Sequence, residues 1–403
     1  MNLVPSTDVA AIDLARIDLS DPALFADGDP HAVWQAMRQR DPVRWQAVDS
    51  TGFWAVSTFD GAERVLTDHA TFSSTGGVVL NMLGRPEPAQ GQQFSATDPP
   101  ELARIRGPLQ RELAMRAVQQ HAAVVREHVR GLLGSLSGSF DFATAVSPLP
   151  MAFLGPLMGI PAQDWPLIAR LVAMSVAEHD PDTAVEEGPQ ATLDRGHREL
   201  FAYLLNLSLE HRKRPRGDLV NALLALPISA GGVVANCYSL ILGAAAAIAH
   251  VPTGTLAELL RTGQYPTWAA RRAHIPGAVE EAIRWTSPAG HFLRTATRDT
   301  FIDGTAIAAG DAVVLWIGSS NRDERYFPDP HRLNPFRRGQ RHLAFGAGAH
   351  YCIGAALARL ALRIVFEEMF QRFSSFELAG DIVHVRSTWL AGIKSLPVVG
   401  RPR

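Results

Sequence analysis

Ten residues constrain this chain more than any other stretch: Phe345-Gly346-Ala347-Gly348-Ala349-His350-Tyr351-Cys352-Ile353-Gly354. They include one of only two cysteines in 403 residues. A helical pattern follows directly, with Ile353, Leu357, Leu360, Ala361, Ile364, Val365 and Met369 recurring at three- and four-residue steps. The spacing therefore predicts Cys352 at or just before a helix N-terminus, where free backbone N–H groups and the helix dipole stabilise a thiolate. Gly346 and Gly348 let the backbone run flat and close to something large, and Gly354 keeps the first helical turn slim. A thiolate in a glycine-lined cradle suits one ligand of a soft metal, and haem iron is the planar candidate.

This stretch resembles the haem-binding loop of the cytochrome P-450 family, FGxGxHxCxG, at all six fixed positions. The resemblance implies haem b (iron protoporphyrin IX) with Cys352 as the iron ligand, cradled by Phe345, Gly346, Gly348 and Gly354. It implies a mainly α fold with a minor β-sheet, the haem lying between a long central helix and the helix after the cysteine loop. It also implies one domain over residues 1–403, with 1–28 as an N-terminal extension.

Hydrophobic content of 47% and charged content of 19% describe a chain able to bury a large core. A formal net charge of -2 argues against nucleic acid as the main partner. Cys237 and Cys352 make no disulfide framework, which fits a reducing cytoplasm. Residues 1–21 carry acidic groups and no apolar stretch of the signal-peptide kind. The longest apolar run, Leu240–Ala249, is far short of the ~20 residues needed to span a bilayer, so no membrane is expected.

In chain order, Asp29-Pro30 reads as an N-cap and first helical residue, opening a helix to about Gln39. Val43–Trp45 and Phe53–Val56 read as strands around a turn, and a short helix spans about Gly61–Leu66. Residues 73–93 are too long and too apolar for an ordinary linker; in the family the corresponding loop roofs the substrate pocket. Asp98-Pro99-Pro100-Glu101 restarts helix and resembles the family's DPPxHxxxR segment, so Arg106 matches an arginine that pairs with a haem propionate. Leu102 stands where that motif has histidine, which leaves the site one donor short. Helical periodicity runs from about Pro161 to Glu210, broken near His179–Asp182. His211–Arg216 reads as a solvated basic turn. Val233 to about Leu260 reads as one long buried helix that Pro252 kinks or breaks.

Glu281 and Arg284 lie at i and i+3 on one helix face and match the family's ExxR. Its partner arginine comes from a later loop, resembled here by Phe327–Arg332, which gives Arg332 the third place in a structural cluster. Arg294 and His350 match the remaining propionate donors, and Asn321-Arg322-Asp323 matches a further signature.

A thiolate-ligated haem favours O–O cleavage, and the reaction needs dioxygen, two electrons and two protons. No Gly-rich dinucleotide fingerprint is present, so electrons are expected from a ferredoxin and a ferredoxin reductase. Arg111, Arg116, Arg337, Arg338 and Arg341 are the basic residues on segments near the cysteine side. Family members carry an acid and a threonine in mid-helix that relay protons. Counting from Gly243, that pair falls on Ala245 and Ala246, and all of Ala244–Ala247 are alanine. His250 is the nearest titratable side chain downstream. By family position, a small-molecule pocket is lined by Val78, Val79, Met82, Gly243, Ala247, His291, Phe292, Thr388, Trp389 and Leu390.

The leading expectation is a monooxygenase acting on a bulky, partly aromatic natural product. Oxidative C–C or C–N coupling without oxygen insertion is the alternative. The missing acid–threonine pair keeps open a reading from another class, a haem sensor without turnover.

Overall fold

The computed structural model describes residues 7–337, 339 and 341–403, without the side chain of Ala247. Arg338, one of the basic residues named above, lies outside the described residues, as does the start of the N-terminus. Helices dominate, and the strands form small sheets.

The helix Pro30–Arg40 begins as its sequence dictates: the Asp29 carboxylate accepts from the Ala32 N–H at 3.0 Å, with Pro30 behind it. Ahead of it Leu19 and Phe25 are buried, so residues 9–26 are packed rather than free. A five-stranded sheet follows, in spatial order 43–48, 51–56, 312–316, 291–296 and 72–73. Its first pair is an antiparallel hairpin, and strand 51–56 then pairs parallel with strand 312–316. Alternation along strand His291–Ala296 sends Leu293 into the core beneath Trp34 and Trp316, while Phe292 and Arg294 share the other face.

Around this sheet lies a helical body. Trp165–Val176 and the distal helix Pro189–Lys213 pack together, and the distal helix also packs on the central helix Ala230–Ile248. His211 is not part of a solvated turn: it is buried, and its Nε2 lies 2.7 Å from Asp218 Oδ2. The central helix ends at Ile248 and a second helix, His250–Arg261, starts beyond Ala249. The break precedes Pro252 by three residues, as the missing N–H and the ring clash of proline require of the turn before it. Together residues 230–261 are long and apolar enough by composition to cross a bilayer, which the shorter run 240–249 did not suggest; 59% of the most apolar window is buried inside the protein.

Two further helices position the site. The brace helix, Ile275–Thr286, carries Glu281 and Arg284 on its buried face. The cysteine helix, Ala355–Arg372, starts at Gly354 and is buried on most sides, with Leu357, Leu360, Ile364, Val365 and Met369 in the core. The central helix and the cysteine helix are in contact.

Candidate active site

The cysteine loop folds back on itself. The Cys352 N–H donates to the Phe345 carbonyl at 2.8 Å. Gly348 sits at φ 65°, and a Cβ there would fall 2.7 Å from the Leu66 carbonyl oxygen, so this turn needs glycine. Burial pushes the Cys352 thiol up; the Gly354 N–H, Arg106 and Arg359 pull it back. The helix start alone therefore does not make a free thiolate here, and an electropositive ligand would have to hold it deprotonated.

Cys352 opens onto a cavity of about 1440 Å³. Phe345, Cys352, Ile353, Gly354 and Leu357 line one side, and Leu240, Gly243, Ala244 and Ala246 of the central helix line the other. A Cβ built at Gly243 would meet nothing within 4 Å. Arg106, Arg294 and His350 line the same cavity. Arg106 donates to the Tyr351 carbonyl, next to the cysteine. Arg294 donates to the Leu293 carbonyl at 2.7 Å and has no carboxylate partner among the described residues, and burial pushes its guanidinium down to about 10.

His350 sits between Ser74 Oγ at 3.3 Å and Asp98 Oδ1 at 3.5 Å. Burial lowers its pKa, against the pull of Asp98. Burial also acts to raise Asp98, but hydrogen bonds from His350, Ser73 and Ser74 outweigh it and hold that carboxylate well below the usual range. Leu102 is simply core.

Below the loop, Glu281 receives both sides of the Arg284 guanidinium, Nε to Oε2 and Nη2 to Oε1, each at 2.8 Å. The third member is Arg337, not Arg332. Arg337 Nε lies 3.1 Å from Glu281 Oε2, and its other nitrogens donate to the carbonyls of Pro328, Asp329 and Arg332. Arg332 itself is exposed, because the turn closed by its N–H on the Asp329 carbonyl turns its own carbonyl inward and its side chain to solvent. Arg337 is thereby withdrawn from the basic surface, and Arg341 pairs with Glu63; Arg111 and Arg116 remain exposed. Asn321 links cluster to loop. Its carbonyl accepts from Arg284 at 2.7 Å, and its Oδ1 accepts from the Leu343 N–H at 2.7 Å.

Val78, Val79, Met82, Gly243, His291, Phe292, Thr388 and Trp389 all line the cavity. Leu390 does not; it packs against Ala246, Val176 and Val385. Ala245 is likewise not on the lining, whereas Ala244 and Ala246 are. His250 is turned away: its Nδ1 would lie 2.6 Å from a Cβ at Gly392, and it faces the carboxy-terminal segment rather than the cavity. Burial pushes it down to about 4. Reading residues by helical phase alone missed this, because the break at Ala249 resets the phase.

The far wall went unread in the sequence. Phe201 on the distal helix and Tyr238 on the central helix line the cavity, edge to face at 5.2 Å. In the sequence Phe201 is one of a run of apolar residues with Leu200, Leu204, Leu205 and Leu207, and nothing there singles it out.

The Cytochrome P450 sequence profile matches residues 269–393. Cytochrome P450 126 of Mycobacterium tuberculosis is 33% identical, with 96% of this chain and 98% of that protein aligned. The chain belongs to the cytochrome P450 family. Linalool 8-monooxygenase of Pseudomonas putida is 30% identical to this P450 over 97% of this chain and all of that one, and cytochrome P450 NovI of Streptomyces niveus is 30% identical over 97% and 98%. The crystal structure of OxyD, a P450 involved in the biosynthesis of vancomycin-type antibiotics, superposes with a TM-score of 0.85 at 29% identity, covering 96% of this chain and 100% of OxyD.

Membership makes this chain an oxygen-dependent oxidoreductase with a haem cofactor, acting on small molecules with electrons from redox partners. The residues present fit that cofactor. One thiol opens between a wall of small residues and the cysteine loop, and among the described residues the buried Arg294 guanidinium donates only to a backbone carbonyl, with the Asp98 carboxylate near but not paired to it. A cation so placed calls for an acidic group from outside the chain.

Proposed function

We propose that this P450 inserts oxygen from dioxygen into a bulky, partly aromatic natural product, using haem b. The cavity carries the proposal. Its volume of about 1440 Å³ exceeds the roughly 300–1,000 Å³ of ordinary ligand sites, leaving room for a planar macrocycle and a large substrate together. Its apolar and aromatic lining, with Val79, Met82, Phe201, Phe292 and Trp389, suits rings. The likeness to OxyD, a P450 of antibiotic biosynthesis, supports a natural-product substrate.

Cys352 would ligate the haem iron, and Arg106, Arg294 and His350 would receive the propionates. When bound, haem supplies dioxygen activation at its thiolate-ligated iron. Glu281, Arg284 and Arg337 hold the loop that presents the thiol. At Gly243, Ala244 and Ala246 the central helix offers the cavity no group that can carry a proton, and His250 is turned away from it, so protons reach that space through water or a polar substrate group. Electrons come from a ferredoxin and its reductase, in the cytoplasm.

A second reading, oxidative C–C or C–N coupling, is favoured by the same methyl-lined wall, which lets two ring systems approach one point. Isotopically labelled dioxygen separates the two, with substrates chosen by the spin-state shift they induce. Hydroxylation places one labelled atom in the product. Label recovered only in water would replace the first reading by the second.

A further inference from the structure

In the wall of the cavity, three elements bring together an aromatic and anionic corner. The distal helix contributes His197 and Phe201, whose rings stack at 5.4 Å. The central helix contributes Tyr238, edge-on to both, with its hydroxyl 3.1 Å from His197 Nε2. Glu178, in the turn after Val176, lines the same cavity close enough for its charge to act on the Tyr238 hydroxyl. No salt bridge reaches Glu178 among the described residues. Arg85 and His179 also line the cavity and pull the Glu178 carboxyl down, but among the described residues neither pairs with it, and the exposed Arg85 donates instead to Gln190 Oε1 at 2.9 Å. Burial raises the Glu178 carboxyl above its ordinary pKa, so the site holds an acid whose charge is poorly compensated. Burial also lowers His197, so the ring beside Tyr238 brings no competing charge.

Electron-rich ring faces attract a cation, and a carboxylate at their edge adds a counter-charge. We propose that Glu178, Tyr238, Phe201 and His197 form a subsite that receives a protonated or quaternary amine carried by the substrate. The inference rests on the reading that this cavity takes a bulky, partly aromatic substrate, and narrows it to amine-bearing members of that class. The amine would anchor one end while the opposite end of the molecule reaches the space above Cys352.

The test uses the holoenzyme and two probes of one shape: benzyltrimethylammonium and its neutral carbon isostere, neopentylbenzene. Dissociation constants are measured by titration calorimetry. The wild type should bind the cation about tenfold more tightly than the isostere. Glu178→Gln should abolish that preference while leaving the isostere's affinity in place. Phe201→Leu, which leaves the carboxylate untouched, should shrink it. Equal binding of the two probes by the wild type, or a preference surviving in Glu178→Gln, would overturn the subsite while the aromatic-substrate reading stands. Binding of neither probe would remove both.

Discussion

His291 Nε2 accepts the Leu80 N–H at 2.8 Å, and the opposite ring nitrogen lies 3.1 Å from the Thr388 carbonyl. One imidazole thus joins the loop above the cavity to the segment that carries Trp389. The neutral ring satisfies both neighbours, with Nδ1–H donating and Nε2 accepting, and burial pushes the ring down to about 4. Replacing His291 by leucine leaves a buried N–H without a partner, at a cost of ~1–3 kcal/mol. The expected result for His291→Leu is lower stability in urea and faster proteolysis within residues 76–93, with His291→Gln partly restoring both. Unchanged cleavage would mean that other contacts hold the roof.

The same ring sets a pH dependence. Its pKa is about 4 when folded and near the ordinary histidine value of 6.5 when unfolded, so the unfolded chain binds the extra proton between those values. Stability should therefore be level above pH ~6.5 and fall as the pH drops towards ~4. Burial lowers His250 to about 4 as well, so the two act together. Equilibrium unfolding at stepped pH should show His291→Gln with a shallower fall, by about one proton.

Much of this was legible because local rules decide it. Asp29-Pro30 caps a helix in any context, and the glycines of the cysteine loop leave few backbone paths. Phe292 and Arg294 share a face because strands alternate. What escaped was set by tertiary turns. Arg332 and Arg337 are both loop arginines five positions apart, and only the turn at Asp329 decides which one faces Glu281. His250 lies one turn beyond Ala246 in the sequence, but the break at Ala249 decides which way its ring points. Glu178 follows a helix end, where periodicity says nothing of direction.

Arg332 and Arg337 can be told apart by substitution. Arg337→Ala leaves Glu281 short of one partner in a buried pair and frees the carbonyls of 328, 329 and 332, so it should cost ~3–5 kcal/mol and reduce haem content. Arg332→Ala removes an exposed side chain and should stay within about 0.5 kcal/mol. Chemical denaturation and haem-to-protein ratio report both. The reverse ranking would return the third place in the cluster to Arg332.

Arg294 is expected to matter more for keeping haem than for folding without it. Its guanidinium is buried against a single carbonyl, so the apoprotein gains little from the charge, whereas a charge-assisted hydrogen bond to a propionate contributes ~1.5–3 kcal/mol. Arg294→Leu should transfer haem to an acceptor apoprotein at least about tenfold faster. Its apoprotein should unfold at the same or higher denaturant concentration. Equal transfer rates would remove Arg294 from the propionate site.

The central helix gives the sharpest contrast with the acid–threonine pattern. Ala246 is 4% exposed and meets Leu390 and Val385 as well as the cavity. A threonine there adds a hydroxyl and a methyl where the packing is closed on one side, so Ala246→Thr should cost ~1–3 kcal/mol. It should not improve coupling, since a proton path through water does not need it. His250→Ala should also leave coupling unchanged, because the ring lies against Gly392 rather than towards Cys352. Product formed per electron pair consumed, in wild type and both variants with one substrate, checks both expectations. A poorly coupled wild type rescued by Ala246→Thr would show that the relay was lost without replacement, and a collapse in His250→Ala would place the relay on a histidine that the structure turns away.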